Sequence, residues 1–283
     1  MSLRRTKWRI EHFLHSPYLR PHRVIAANLD RCRMPDFLIL GTQKGGTTSL
    51  YASLATTHKM VMALDKEIHY FDRNYSKGWA WYLSHFPIRM SNGSLTGEAT
   101  PDYLFFPEVA QRVAEVLPKC KLIVMLRNPI DRAYSNYHHE IGQGNESLSF
   151  EDAIRRECMI GADGAILGLK DLREAGFYDF DHFSYLARGL YVEQLRLWMQ
   201  KISRKQFLIL KSESFFKQPD KVIPEVFEFL GLPSTQKYTL RKYNVGRYQQ
   251  TMDQGTRSRL RLFYATYNDQ LSQLINMDLR DWT

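Results

Sequence analysis

Lys44, Gly45, Gly46, Thr47 and Thr48 set a cation, two residues without side chains and two hydroxyls in consecutive positions. That set suits an anion. Glycine lets backbone approach a ligand closely, N–H and hydroxyl groups donate, and the lysine adds a full positive charge. Two other stretches carry groups able to act beside such a ligand. Lys66 to Asp72, KEIHYFD, packs Glu67, His69 and Asp72 around apolar Ile68, Tyr70 and Phe71. A carboxylate or an imidazole there could take a proton from a reacting hydroxyl. Arg127, in RNPIDRAYSNY, precedes Ser135, and an arginine fork can donate two bonds to one phosphate. Each stretch also has a plainer reading: a strand-to-helix turn with a surface lysine, a structural histidine, a surface arginine.

The elements that must position these groups follow from hydrophobic pattern. Phe37 to Leu40 reads as a buried strand ending at Gly41. Thr47 and Thr48 are expected to cap a helix that opens at Ser49 and runs to Thr57. If KEIHYFD is extended, Glu67 and His69 point to the same side. Trp79, Trp81, Tyr82 and Phe86 read as a core cluster, and Leu95 to Ala99 as a short strand. Pro107 to Leu117 reads as a helix. A second strong strand starts at Lys121 and ends at Arg127, because Pro129 cannot continue a ladder. Asp131 to His139 is then a helix carrying Ser135, and Ser149 opens another. Residues 160–182 read as a mobile loop over the site. Ser184 to Lys201 is helical in period, and a third strand starts at Gln206. Val222 to Leu230 is a helix closed by Gly231, and Thr256 to Ile275 is the last helix. Alternating strands and helices imply an α/β three-layer sandwich with a central parallel sheet. Ligands bind beyond the carboxyl ends of such strands, where Gly41, Arg127 and Glu213 fall.

The 283 residues are 44% hydrophobic, enough to bury one large core, and the net charge is +9. That charge admits nucleic acid, an acidic membrane or an anionic ligand as partner. A nucleic-acid module is disfavoured, since neither an interleaved aromatic–basic motif nor zinc spacing occurs. Cys32, Cys120 and Cys158 show no metal or disulfide pattern, which points to a reducing compartment. No apolar run reaches membrane-spanning length. Residues 1–34 form a basic extension before a domain of residues 35–283. It is expected to pack on the domain, with peripheral membrane contact as the alternative.

The loop is P-loop-like but departs from the nucleoside triphosphate pattern. There the lysine follows the last glycine and is followed at once by the hydroxyl that holds magnesium. Here Lys44 precedes both glycines, so no obligatory metal is expected, and a nucleotide kinase is the disfavoured rival.

The order of these blocks resembles the sulfotransferase superfamily, in particular its carbohydrate branch of heparan sulfate sulfotransferases and bacterial relatives. The resemblance covers roughly residues 35–283. It extends to GEATPDYLF, RGLYVEQLRLWMQ, LILKSESFFKQP, VGRY and the closing DLRDWT. It implies 3′-phosphoadenosine 5′-phosphosulfate (PAPS) as sulfuryl donor and 3′-phosphoadenosine 5′-phosphate (PAP) as product. By that resemblance, Lys44, Gly45, Gly46, Thr47 and Thr48 hold the 5′-phosphosulfate. Arg127 and Ser135 hold the 3′-phosphate, while Tyr191, Gly246 and Arg247 complete the nucleotide side. Lys44 serves the leaving oxygen. Glu67 is the catalytic base, with His69 as rival base or as orienting group. Glu67, His69, Asp72, Glu98 and Tyr103 line the acceptor side, with orientation of Lys66 or His69, or a surface charge, as the alternative for Asp72 and capping or packing as the alternative for Glu98 and Tyr103. The chain departs from many heparan sulfate enzymes at Ala99, Thr48 and Val245, where those carry basic residues, and it lacks their disulfide. The implied acceptor is a hydroxyl on a glycan or glycolipid; a lipid, acyl chain or small metabolite is the alternative. A soluble, cytoplasmic bacterial-type enzyme is expected, with the lumenal domain of a Golgi enzyme as the alternative.

Overall fold

A computed structural model describes residues 33–87, 93–243 and 251–282. In chain order the strands are β1 Phe37–Gly41, β2 Gly97–Ala99, β3 Lys121–Leu126, β4 Cys158–Ile160, β5 Ile166–Leu169 and β6 Phe207–Lys211. The helices are α1 Thr47–Leu54, α2 Tyr70–Arg73, α3 Gly78–Leu83, α4 Pro107–Val116, α5 Pro129–Gln143 and α6 Phe150–Arg155. They continue as α7 Phe177–Phe183, α8 Tyr191–Lys201, α9 Ser212–Lys217, α10 Pro219–Leu230 and α11 Gln254–Ile275.

Four strands form one parallel sheet in the order β2-β1-β3-β6. Both faces of the sheet are covered, which is why β1 and β3 read as unbroken apolar runs. Leu38, Leu40, Leu122 and Val124 pack into one core with α4, α8 and the aromatic residues around α2 and α3. Phe37, Ile39, Ile123 and Met125 pack into the other, against α1 and α10. Tyr82 and Phe86 are buried as expected, while Trp79 and Trp81 are partly buried at the edge of the first core.

The chain steps from β1 to β2 on one side, then crosses back to β3 on the other. The crevice beyond the carboxyl ends of β1 and β3 is therefore the switch point of the sheet, the ordinary place for a ligand in such folds. Residues 160–182 differ from expectation. They hold the antiparallel hairpin partner β5, whose Leu169 pairs with Cys158, and α7. Phe180 of α7 stacks on Phe105 with ring centroids 4.7 Å apart, which anchors this segment to the domain. Cys120 and Cys158 are buried free thiols.

Candidate active site

The cradle is built from the strand outward. Thr42 N–H donates to the carbonyl of Met125 on β3 (2.7 Å), and Gly45 N–H closes back on Thr42 (2.9 Å). A Cβ on Gly45 would stand 2.6 Å from the Met125 carbonyl oxygen, so only glycine fits this close return. The helix begins earlier than expected. Gly46, left-handed at φ 94°, is the N-cap of α1 with no side-chain cap, and Thr47 is already helical. Thr47 and Thr48 are thus not caps. Their N–H groups belong to the first helical turn, which has no intrahelical acceptors, and the helix dipole adds to their pull on an anion.

Lys44, two residues before the N-cap, has φ 68°, an uncommon conformation for a side-chain-bearing residue. Burial and the neighbouring Arg127 bring its ammonium down to about 8, against opposing pulls from Glu140 and Glu67. A lysine held this way gains by meeting an anion. Arg127, just past the end of β3, donates Nη1–H to the Lys44 carbonyl (3.1 Å). Ser135 lies buried on α5, which Asn128 caps through bonds from Ile130 and Asp131 N–H (3.0 and 3.4 Å). Tyr191 is 1% exposed and gives its hydroxyl to the Arg127 carbonyl (2.9 Å). This bond ties Tyr191 to the residue expected to meet the 3′-phosphate. Gly246 and Arg247 lie outside the described residues. The segment before them is laced along α1, with Tyr243 N–H donating to Ser49 Oγ (2.9 Å) at the first turn.

KEIHYFD is not extended. Glu67 (φ 61°) and His69 (φ 53°) are both left-handed, and His69 is the N-cap of α2. Two tertiary ties enforce this bend. Glu67 N–H donates to the Ala99 carbonyl at the end of β2 (3.0 Å), and Tyr103 hydroxyl accepts from Tyr70 N–H (2.9 Å). Together with Lys44, three side-chain-bearing site residues hold costly backbone conformations, a pattern that clusters at functional sites.

The Glu67 carboxylate is paired with Lys66. Burial would raise its pKa, but the Lys66 ammonium and His69 outweigh burial and hold it below the usual carboxylate value. His69 Nδ1 lies 2.7 Å from Asp72 Oδ2 and 3.8 Å from Asp102 Oδ2. Burial would lower the imidazole pKa, but the bond and charge from Asp72, with Asp102 behind it, raise it overall. Glu67 is therefore ionised where His69 still keeps its proton.

Three residues named for the acceptor side lie enclosed in the fold. The Asp72 carboxylate is fully enclosed behind His69 and orients it. Glu98 and Tyr103 are 0% exposed. Glu98 accepts from Tyr82 (2.8 Å), Thr100 (2.7 Å) and Tyr103 (3.0 Å) hydroxyls, so the pair braces the bend of KEIHYFD from the core. The polarity of GEATPDY marks a satisfied buried network, since buried carboxylates need partners.

Several contributors escaped the sequence reading. Asp102 accepts from Arg73 Nη2 (2.7 Å) and Arg188 Nη1 (2.8 Å), and Arg73 also reaches Asp181 on α7 (2.8 Å). This lattice ties the KEIHYFD segment to α7 and to the turn before α8. His69, Asp72 and Asp102 approach closely enough for a cation, but the two arginines already supply positive charge to Asp102. On α5, Arg132 and Asn136 are fully buried one turn apart, and Arg132 Nε and Nη1 and both amide atoms of Asn136 lack hydrogen-bond partners. Only separation in sequence hid these residues: nothing local links Asp102 to Arg188.

Fold and site together define an α/β protein with a positively charged anion cradle at the sheet switch point, facing a carboxylate–histidine pair. Residues 34–267 match the family described as sulfotransferase domain, and the chain belongs to that family. It is 34% identical over 212 residues to human heparan sulfate glucosamine 3-O-sulfotransferase 6, covering 75% of this chain and 56% of the relative. It is 28% identical over 313 residues to the membrane-associated sulfotransferase kil1 of Dictyostelium discoideum, covering 87% of this chain and 66% of that protein. The chain thus spans between half and two thirds of these relatives' lengths. Among solved structures, the sulfotransferase from Alicyclobacillus acidocaldarius superposes with a TM-score of 0.73 at 26% identity, covering 88% of this chain and 99% of that one. No helix among the described residues is long and apolar enough to cross a membrane.

Proposed function

We propose that the chain transfers the sulfuryl group of PAPS to a hydroxyl of a carbohydrate acceptor, releasing PAP. One observation carries this reading. Lys44 lies two residues before the left-handed Gly46 that caps α1 without a side chain, its carbonyl takes a bond from Arg127, and the Glu67 carboxylate is near enough to act on its charge. Anion cradle and ionised carboxylate are what a donor phosphosulfate and an acceptor hydroxyl need in one place.

The cradle fits the nucleotide. Gly45, Gly46 and the N–H groups of Thr47 and Thr48 would hold the 5′-phosphosulfate, and Arg127 with Ser135 the 3′-phosphate. Bound there, PAPS supplies a sulfuryl group on a phosphate leaving group. Glu67 takes the acceptor's proton as the acceptor oxygen bonds to sulfur. Lys44 offsets the charge that appears on the phosphate oxygen as its bond to sulfur breaks. His69, held by Asp72, orients the acceptor and favours the negative charge developing on the sulfate oxygens. A sulfuryl group carries less negative charge than a phosphoryl group, so Lys44 serves where a kinase uses magnesium.

A carbohydrate acceptor is supported by the relatives named for heparan sulfate glucosamine 3-O-sulfation. Ala99 stands where many such enzymes carry lysine, and without that positive charge the acceptor is expected to be less anionic than heparan sulfate. The test is mass-spectrometric detection of sulfate moved from PAPS to N-sulfated heparan oligosaccharides, neutral glycans, glycolipids and small alcohols. Sulfation confined to the small alcohols would overturn the carbohydrate reading. Release of PAP with no sulfated product would overturn transfer.

A further inference from the structure

Arg127 and α5 meet at Asn128, and this residue is tied on three sides. Its N–H donates to Glu213 Oε1 at the start of α9 (2.8 Å). Its Oδ1 caps α5, and its Nδ2 donates to the backbone carbonyl of Trp282 near the end of the chain (3.5 Å). Trp282 is 1% exposed, and its ring lies 6.1 Å from that of Tyr191, whose hydroxyl holds the Arg127 carbonyl. Lys211, ending β6, fastens the segment that carries Trp282: its ammonium reaches Asp281 Oδ1 (2.5 Å) and the Asp278 carbonyl (3.2 Å).

We propose that Glu213 and Trp282, acting through Asn128, are positioning residues for the subsite that takes the 3′-phosphate of the nucleotide. The proposal rests on the PAPS reading above. Arg127 leaves the end of β3 and Ser135 rides on α5, so their separation depends on the angle between strand end and helix. Asn128 is the joint of that angle. Glu213 fixes its backbone, Trp282 fixes its side chain, and Tyr191 fixes the residue before it. Glu213 Oε2 and Trp282 Nε1 are buried without hydrogen-bond partners. An apolar side chain at position 213 would leave no polar atom unpaired, so packing alone does not account for the carboxylate, whereas Trp282 reaches Asn128 through its backbone carbonyl and holds it there by the packing of its buried ring. A phosphate needs both Arg127 and Ser135 at fixed separation, whereas the 5′ cradle closes on itself, Gly45 on Thr42 and Thr42 on Met125, and meets the joint only where Arg127 donates to the Lys44 carbonyl.

The test compares PAP with adenosine 5′-monophosphate, which lacks the 3′-phosphate, by calorimetry on the full chain. Glu213→Ala is expected to weaken PAP by about tenfold or more and the monophosphate by less than about threefold. Glu213→Gln, whose carbonyl accepts the same N–H, is expected to restore PAP to within about threefold of wild type. Equal losses for both nucleotides, or no loss for PAP, would overturn the proposal. Should Glu213→Ala fail to fold, Asn128→Ser keeps a neutral cap but removes the donor to Trp282. The ratio of the two affinities must then fall, and an unchanged ratio overturns the proposal. Wild-type protein that binds both nucleotides equally would instead overturn the cofactor reading.

Discussion

Lys44→Met should move stability and binding in opposite directions. Methionine keeps the length and packing of the side chain and removes the charge. The interval between the ordinary lysine value of 10.5 and about 8 corresponds to roughly 3 kcal/mol of cost for holding the ammonium there. The side chain keeps some contact with water, which reduces the recoverable part to about 1–2 kcal/mol. For a domain of this size that is a rise of roughly 2–8 °C in the Tm of the nucleotide-free protein. PAP affinity should fall by about 10- to 150-fold, the worth of a charged hydrogen bond. The pH dependence has a definite sign. At pH 7 the lysine is protonated in folded and unfolded chains alike. Between about 8 and 10.5 the folded chain has lost the proton that the unfolded chain keeps, so wild-type stability rises with pH there. The variant's advantage must therefore shrink between pH 7 and pH 10. Scanning calorimetry at several pH values, with titration of PAP, measures all three effects. A lower Tm with unchanged PAP affinity would refute the reasoning and make Lys44 a structural residue.

Other expectations follow from the same geometry. Arg127→Ala should weaken PAP strongly and barely affect adenosine 5′-monophosphate; equal losses by calorimetry would reassign Arg127. Turnover should be unaffected by EDTA, because no hydroxyl directly follows Lys44 as it does in magnesium-dependent loops. Loss of activity on chelation, restored by magnesium, would count against the sulfuryl-transfer reading. Tyr103→Phe should destabilise the fold by about 1–3 kcal/mol, leaving Glu98 and the Tyr70 N–H each short of a partner. It should lower turnover more than PAP affinity, and the reverse order in kinetics would show that the bend of KEIHYFD does not govern the reacting groups.

What the sequence revealed and what it hid have physical reasons. β1 and β3 were legible because a strand buried on both faces must be apolar throughout, and Gly45 and Gly46 because their backbone comes too close to neighbours for a side chain. The start of α1 was misplaced: threonines after a glycine pair read as caps, but a left-handed Gly46 caps the helix without any side chain. The left-handed turns at Glu67 and His69 left no local signal, since Ala99 and Tyr103 impose them from distant segments. Glu98, Tyr103 and Asp72 could be read either as ligand contacts or as bracing residues, because polar residues near a site look alike in sequence whether they face the ligand or brace what does. The hairpin and α7 were read as a loop because exposed apolar residues such as Leu167 and Phe177 blur the alternation of a strand and the stripe of a helix.

In the proposed reaction Glu67 takes the acceptor's proton, and single-turnover sulfation at saturating PAPS tests that most directly. Glu67→Gln keeps the shape and can still meet Lys66, but it cannot accept a proton at neutral pH. Its PAP affinity should stay near that of wild type while the transfer step slows by about 10²- to 10⁴-fold. His69→Ala should cost less at the transfer step. Near-wild-type transfer by Glu67→Gln together with abolition by His69→Ala would contradict the account and make the histidine the base.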